Sequence, residues 1–117
     1  MKLTVLQLNI FKGKFLSQII DYVKKHDFDI VQFQEVTGGS LSNGGVHKYA
    51  KDMNLDPGRA TTQNQGLDLF YEIKSKLSYN GQIVKTFRES IDETSYMGNA
   101  TFYKPHIRPL KKDVIWL

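Results

Sequence analysis

The sequence predicts an α/β domain, and three observations carry that prediction. A short apolar run opens the chain, apolar residues then recur at helical spacing, and a second strand-like stretch, D-I-V-Q-F-Q-E-V, follows. A second helical stripe and further strand candidates come later. At 117 residues the chain is one domain, long enough to bury a core and near the short end for an α/β enzyme. Apolar residues make up 40% and charged residues 24%, which places it among ordered globular domains rather than disordered segments.

The elements justify themselves in order. Lys2 to Asn9 reads as a strand, with Leu3, Val5, Leu6 and Leu8 apolar. Phe11 to Lys14 contains Gly13 and turns the chain. Phe15, Leu16, Ile19, Ile20 and Val23 mark one helical face, Ser17, Gln18, Asp21, Lys24 and Lys25 the other, and the helix ends near His26. Asp29 to Glu35 is the second strand. A strand, helix, strand unit of this kind makes its two strands parallel and often neighbouring.

Residues 37–45, T-G-G-S-L-S-N-G-G, read as a loop. Gly39 and Gly44 have the spacing of a phosphate-binding loop, but Gly45 and Val46 stand where Lys and Ser/Thr are required, so that reading fails. Val46 to Leu55 is a short helix or irregular, and Asp56-Pro57-Gly58 is a turn. Leu67, Phe70, Ile73, Lys74 and Leu77 give the second helical stripe, with Asn64 as a candidate cap. Asn80-Gly81 reads as a turn. Gln82 to Phe87, Ala100 to Tyr103 and Asp113 to Leu117 are strand candidates, the last unusual in ending the sequence on apolar residues.

Several classes of function are excluded or disfavoured. Cysteine is absent, which removes disulfides, thiolate metal sites and a cysteine nucleophile. The N-terminal apolar run is broken by Gln7 and Asn9 and carries no cleavage pattern, so the expectation is a soluble, cytoplasmic protein without a membrane span. The net charge of +4 favours polyanions in general, yet only Lys24-Lys25 and Lys111-Lys112 are contiguous, and a solvated surface explains the scatter better than a nucleic-acid stripe.

Candidate chemistry gathers at two strand ends. Asn9 closes the first strand and Glu35 the second, and ligands of α/β sheets sit outside the carboxyl ends of strands. Mg²⁺ suits a carboxylate and a carboxamide there, because it takes oxygen ligands, keeps waters and is commonly held by one or two carboxylates plus a substrate phosphate. Taken singly, each residue also reads as an ordinary strand-end polar group or turn former. Position alone does not decide between them.

L-T-V-L-Q-L-N-I, an amphipathic helix and D-F-D-I-V-Q-F-Q-E-V together resemble the opening of the endonuclease/exonuclease/phosphatase superfamily, the deoxyribonuclease-like metal-dependent phosphoesterases. A third segment, Y-M-G-N-A-T-F-Y-K-P-H-I, is similar to the family's Y-G-N-A-I-L-S-(R/K)-x-P-I, with Met97 inserted and Thr101, Phe102 and Tyr103 replacing I-L-S. The resemblance implies that Glu35 binds the metal, Mg²⁺ or Mn²⁺, that Asn9 helps orient metal or phosphate as a catalytic residue, and that Asn99 contacts substrate. Gly98-Asn99 also reads as a tight turn, which is weighted ahead of substrate contact for Asn99.

The departures are as informative as the matches. The family's G-D-x-N and S-D-H segments, which orient the nucleophile and supply the central His, have no counterpart; Asp52-Met53-Asn54 has the wrong context and order. His26, His47 and His106 do not replace that His. The resemblance therefore implies that 1–117 is a partial domain, the N-terminal half of a two-sheet α/β sandwich with helices packed outside the sheet, and that one apolar sheet face is left uncovered.

Two functions follow. The first is a metal-dependent hydrolase of phosphate esters, with nucleic acid, lipid head group and inositol phosphate all open as substrates, inactive without its C-terminal half. Segments 38–45 and 64–68 are where its specificity is expected. The second is a non-catalytic α/β binding or interaction module whose partner covers the open sheet face.

Overall fold

The computed structural model describes residues 2–39, 68–88 and 95–115. Four strands and two α-helices follow along them: β1 (Val5–Asn9), α1 (Leu16–His26), β2 (Ile30–Gly39), α2 (Leu69–Leu77), β3 (Asn80–Arg88) and β4 (Ser95–Tyr103). The strands form one sheet in the order β1-β2-β4-β3. β1 and β2 are parallel neighbours, as the strand, helix, strand reading requires, while β2 with β4 and β4 with β3 are antiparallel.

Each helix forms where an apolar stripe and a stop signal agree. In α1 the buried residues are Leu16, Ile20 and Val23, and Asp27 ends the helix in the left-handed conformation, its N–H donating to the Val23 carbonyl. Lys24, Lys25 and His26 occupy the last turn, where cations favour the helix dipole. Phe15 leaves the predicted face: it is the residue before the helix and is 50% exposed. In α2 the stripe is Leu69, Ile73 and Leu77, and the cap is Asp68, whose carboxylate accepts from the Tyr71 N–H at 3.0 Å, rather than Asn64.

Both helices feed one core on one face of the sheet. Leu16, Ile20 and Val23 of α1 and Leu69, Ile73 and Leu77 of α2 meet Val31, Phe33 and Val36 of β2 and Ala100 and Phe102 of β4. The Phe33 and Phe102 rings lie 5.9 Å apart at its centre and are fully buried. Truncating such a ring to alanine costs about 3–5 kcal/mol.

Other sequence expectations are corrected. Asn80 and Gly81 are not a turn but the first residues of β3, paired with Tyr103 and Phe102; left-handed Ser78 makes the reversal. Gly98 and Asn99 are not a tight turn either, since both lie inside β4. Residues 37–39, read as loop, extend β2 and pair with β4. Residues 113–115 form no strand, and Ile115 is 82% exposed. The readings placed on 40–67 and 116–117 lie outside the described residues.

The face away from the helices is mixed rather than wholly apolar: Val5, 53% exposed, and Ile30, Val84 and Tyr103 lie on it together with polar residues. Alternation along β1 and β2 puts Gln7, Gln32 and Gln34 there, all exposed, and Thr101 of β4 is half-buried beside them. Side-chain amides at that end of the face hydrogen-bond to water, while Ile107 and Pro109 lie beside Ile30 and Tyr103 at the other end.

Candidate functional site

Parallel pairing of β1 with β2 ends at Asn9 opposite Gln34. Glu35 is the next residue, and here β2 does something the sequence did not announce. Between Phe33, which faces Ala100, and Val36, which faces Gly98, two residues stand opposite the single Asn99. This is a β-bulge, and within it Glu35 has a φ of 59°. The expectation that Glu35 ends its strand is thereby corrected: β2 runs on to Gly39, and Glu35 interrupts it from inside.

A non-glycine residue in the left-handed region costs about 1–2 kcal/mol, so something else in the fold must hold it. The chain repeats that expense next door. Phe11 and Lys12, soon after β1, have φ values of 48° and 55°. Strained backbone thus brackets the carboxyl end of the parallel pair on both strands. Such clustering is characteristic of functional sites.

The three residues singled out in the sequence come to one level of the sheet. Asn9 of β1, the Gln34-Glu35 bulge of β2 and Asn99 of β4 occupy adjacent strands, each about 5 Å from the next by ordinary strand spacing. Asn9 is also a turn former: its Oδ1 accepts from the Phe11 N–H at 2.9 Å. A carboxamide oxygen has a second lone pair and its NH₂ two donors, so that bond leaves Asn9 able to do more. Glu35 is half-buried, and Asn99 is exposed.

Sequence reading missed the surroundings of this rung. Gln7, Gln32, Gln34, Asn99 and Thr101 line a shallow depression of about 200 Å³ beside it. The signal was there in the polar residues at every second place, Gln7 and Asn9 in one strand and Gln32 and Gln34 in the other. Gly98 was missed in its structural role: a Cβ there would stand 2.1 Å from the Val84 carbonyl oxygen, so only glycine lets β3 approach at this level.

As a metal site the rung is partial. Among the described residues there is no group of three or more His, Asp or Glu side chains able to hold an ion. One carboxylate and one carboxamide oxygen still fit the oxygen-ligand chemistry of Mg²⁺, which takes its remaining positions from water and substrate. Glu35 would be the charged ligand and Asn9 the neutral one. The His26 ring packs against that of Tyr22 with centroids 4.4 Å apart and a tilt of 47°, His106 is exposed after the end of β4, and His47 lies outside the described residues.

The opposite end of β2 is built for anchoring. Asp29 accepts from the Thr4 N–H at 2.8 Å and from its hydroxyl at 3.1 Å, and the Lys104 ammonium lies 2.9 Å from Asp27 and 3.4 Å from Asp29. The Thr4 backbone bond, then its hydroxyl and Lys104, hold the Asp29 carboxyl below the usual carboxylate range, while the bond to Asp27 leads in raising Lys104. Tyr79 donates to the Phe28 carbonyl, and burial raises its phenol. These contacts join β1, β2 and β4 at the end remote from Glu35.

The fold is similar to that of a solved endonuclease/exonuclease/phosphatase family protein from Leptotrichia buccalis C-1013-b, with a TM-score of 0.56 and 11% identity over 92% of this chain. The chain spans 40% of the length of that structure. No family model matches the sequence, and no curated protein matches it. The likeness is one of fold, an α/β arrangement of a mixed four-stranded sheet and two helices. Among the described residues, no helix is long and apolar enough to cross a membrane.

Proposed function

We propose that this chain is the N-terminal part of a metal-dependent phosphoester hydrolase, in which Glu35 binds Mg²⁺ or Mn²⁺, Asn9 orients metal or phosphate, and Asn99 contacts the substrate. The observation that carries the reading is the Glu35 bulge. A strained carboxylate, level with Asn9 and Asn99 on adjacent strands, is hard to account for as a solvated strand residue. Fold likeness to a phosphoesterase-family structure supports the reaction class, and the sequence segments that resemble that family contain all three residues.

The chemistry assigned to these residues is positioning and charge stabilisation. A bound divalent ion supplies Lewis-acid polarisation of the phosphoryl oxygens. Glu35 anchors it with a full negative charge, and the Asn9 and Asn99 amides offer N–H donors to phosphate oxygens. No base for the attacking water is assigned, because the residues expected to furnish it belong to the G-D-x-N and S-D-H segments. Isolated, the chain is expected to hydrolyse almost nothing.

The test uses a chromogenic phosphodiester and phosphomonoester with Mg²⁺. The chain itself should turn over neither, and a longer polypeptide read from the DNA past Leu117, carrying those two segments, should turn over one of them. Glu35→Gln in the longer protein should remove most of the activity. Robust turnover by residues 1–117, lost on changing His47 or His106, would overturn the assignment.

One observation favours the second reading, a non-catalytic module. The exposed Gln7, Gln32 and Gln34 make this part of the open face a hydrogen-bonding surface, suited to a polar partner. A cooperatively unfolding monomer that binds no Mn²⁺ would support this reading over the hydrolase.

A further inference from the structure

Independently of the site, the two edges of the sheet are treated differently. β3 is protected: it carries a bulge between Lys85 and Phe87, an exposed charge at Lys85, and the Lys112 ammonium 3.5 Å from its Ile83 carbonyl. These are the usual devices that stop a sheet edge from pairing. β1 has none of them. Among the described residues no strand pairs with its outer side, and from Leu3 to Phe11 there is neither an ionisable residue nor a proline. Large apolar side chains are exposed along the same edge: Leu3 at 45%, Val5 at 53%, Leu8 at 38% and Phe11 at 61%.

We infer that β1 is a self-association edge, pairing antiparallel with β1 of a second copy of this chain across a two-fold axis at Gln7. The choice of a second copy rests on self-complementarity. With Gln7 opposite Gln7, Leu6 falls opposite Leu8 on the helix-bearing face and Val5 opposite Asn9 on the other, so the five residues of β1 pair along their whole length. The two half-covered leucines of each copy cover those of the other. Two amides facing each other at the axis can both donate and accept. Although each chain carries +4, the uncharged edge lets two copies approach with no like charges opposed. A five-residue strand buries less than the roughly 1,600 Å² of a standard interface, so the dimer is weak and forms at high protein concentration.

Sedimentation equilibrium from micromolar to millimolar protein, with amide exchange of β1 followed in parallel, tests this. The expected result is a mass rising from 13.5 kDa toward twice that value, with β1 amides slowing as it rises. Gln7 is exposed, so its substitution leaves the monomer folded. Gln7→Lys alone and Gln7→Glu alone should each remain monomeric, and a mixture of the two should associate, because opposite charges then meet at the axis. A wild-type chain that stays monomeric throughout, single variants that dimerise like wild type, or association without slowing of the β1 amides would each overturn the inference. Thermal melts of both variants identify any loss of fold, and the mixing experiment still decides if one is mildly destabilised.

Discussion

Replacing Glu35 by glycine separates a functional residue from a structural one, because the two roles predict opposite signs. With φ at 59°, Glu35 pays about 1–2 kcal/mol that glycine does not. Glycine adds back about 0.4–1 kcal/mol through the greater freedom of the unfolded chain. The net gain is about 0.5–1 kcal/mol, or about 2–4 °C in Tm for a domain of this size. Glu35→Gln, which keeps shape and strain and removes charge, should stay within about 0.5 kcal/mol of wild type. Urea and thermal unfolding of the three proteins give the comparison. Glu35→Gly should be more stable than wild type and bind Mn²⁺ less, the trade expected where strain serves a site. If glycine instead costs 1 kcal/mol or more, the Glu35 side chain anchors the fold and the reasoning from strain is wrong.

Three further outcomes are expected. Gly98→Ala should destabilise by more than about 2 kcal/mol in urea unfolding, because a Cβ placed 2.1 Å from the Val84 oxygen forces β3 away. Asp68→Ala should cost about 1 kcal/mol and raise amide exchange in the first turn of α2, since it removes the bond to the Tyr71 N–H. Asp29, depressed below 3.8 by Thr4 and Lys104, contributes stability that is present above that pH and lost as the pH falls through its lower folded value. NMR titration should find its folded pKa below 3.8, and Lys104→Met should move it up part of the way.

What the sequence made legible was governed by local periodicity. Leu16, Ile20 and Val23 declared α1, and the alternation in β1 and the first half of β2 declared the parallel pair, because a buried stripe and a pleat each leave a fixed spacing. Asn9 and Glu35 could be set near the carboxyl ends of two neighbouring strands, but the bulge at Glu35 and the place of Asn99 beside it could not be read. Their common level depends on which strands neighbour one another and on a two-against-one register at Gln34-Glu35, and neither is a local property. The same limit explains the misread Gly98-Asn99 and Asn80-Gly81. Both pairs carry turn chemistry, yet tertiary pairing holds each inside a strand, Gly98 because β3 comes too close for any side chain. Asp113 to Ile115 failed in the other direction, since an apolar run has strand propensity without a guaranteed partner.

The central claim is that Glu35 is the charged ligand of a divalent-cation site shared with Asn9 and Asn99. Paramagnetic Mn²⁺, added in steps to ¹⁵N-labelled chain, tests it most directly, because line broadening reports position whether or not the chain turns over substrate. The account predicts broadening centred on the amides of Asn9, Gln34 to Val36 and Asn99, and its loss in Glu35→Gln. Broadening centred elsewhere, or unchanged by that substitution, would contradict it.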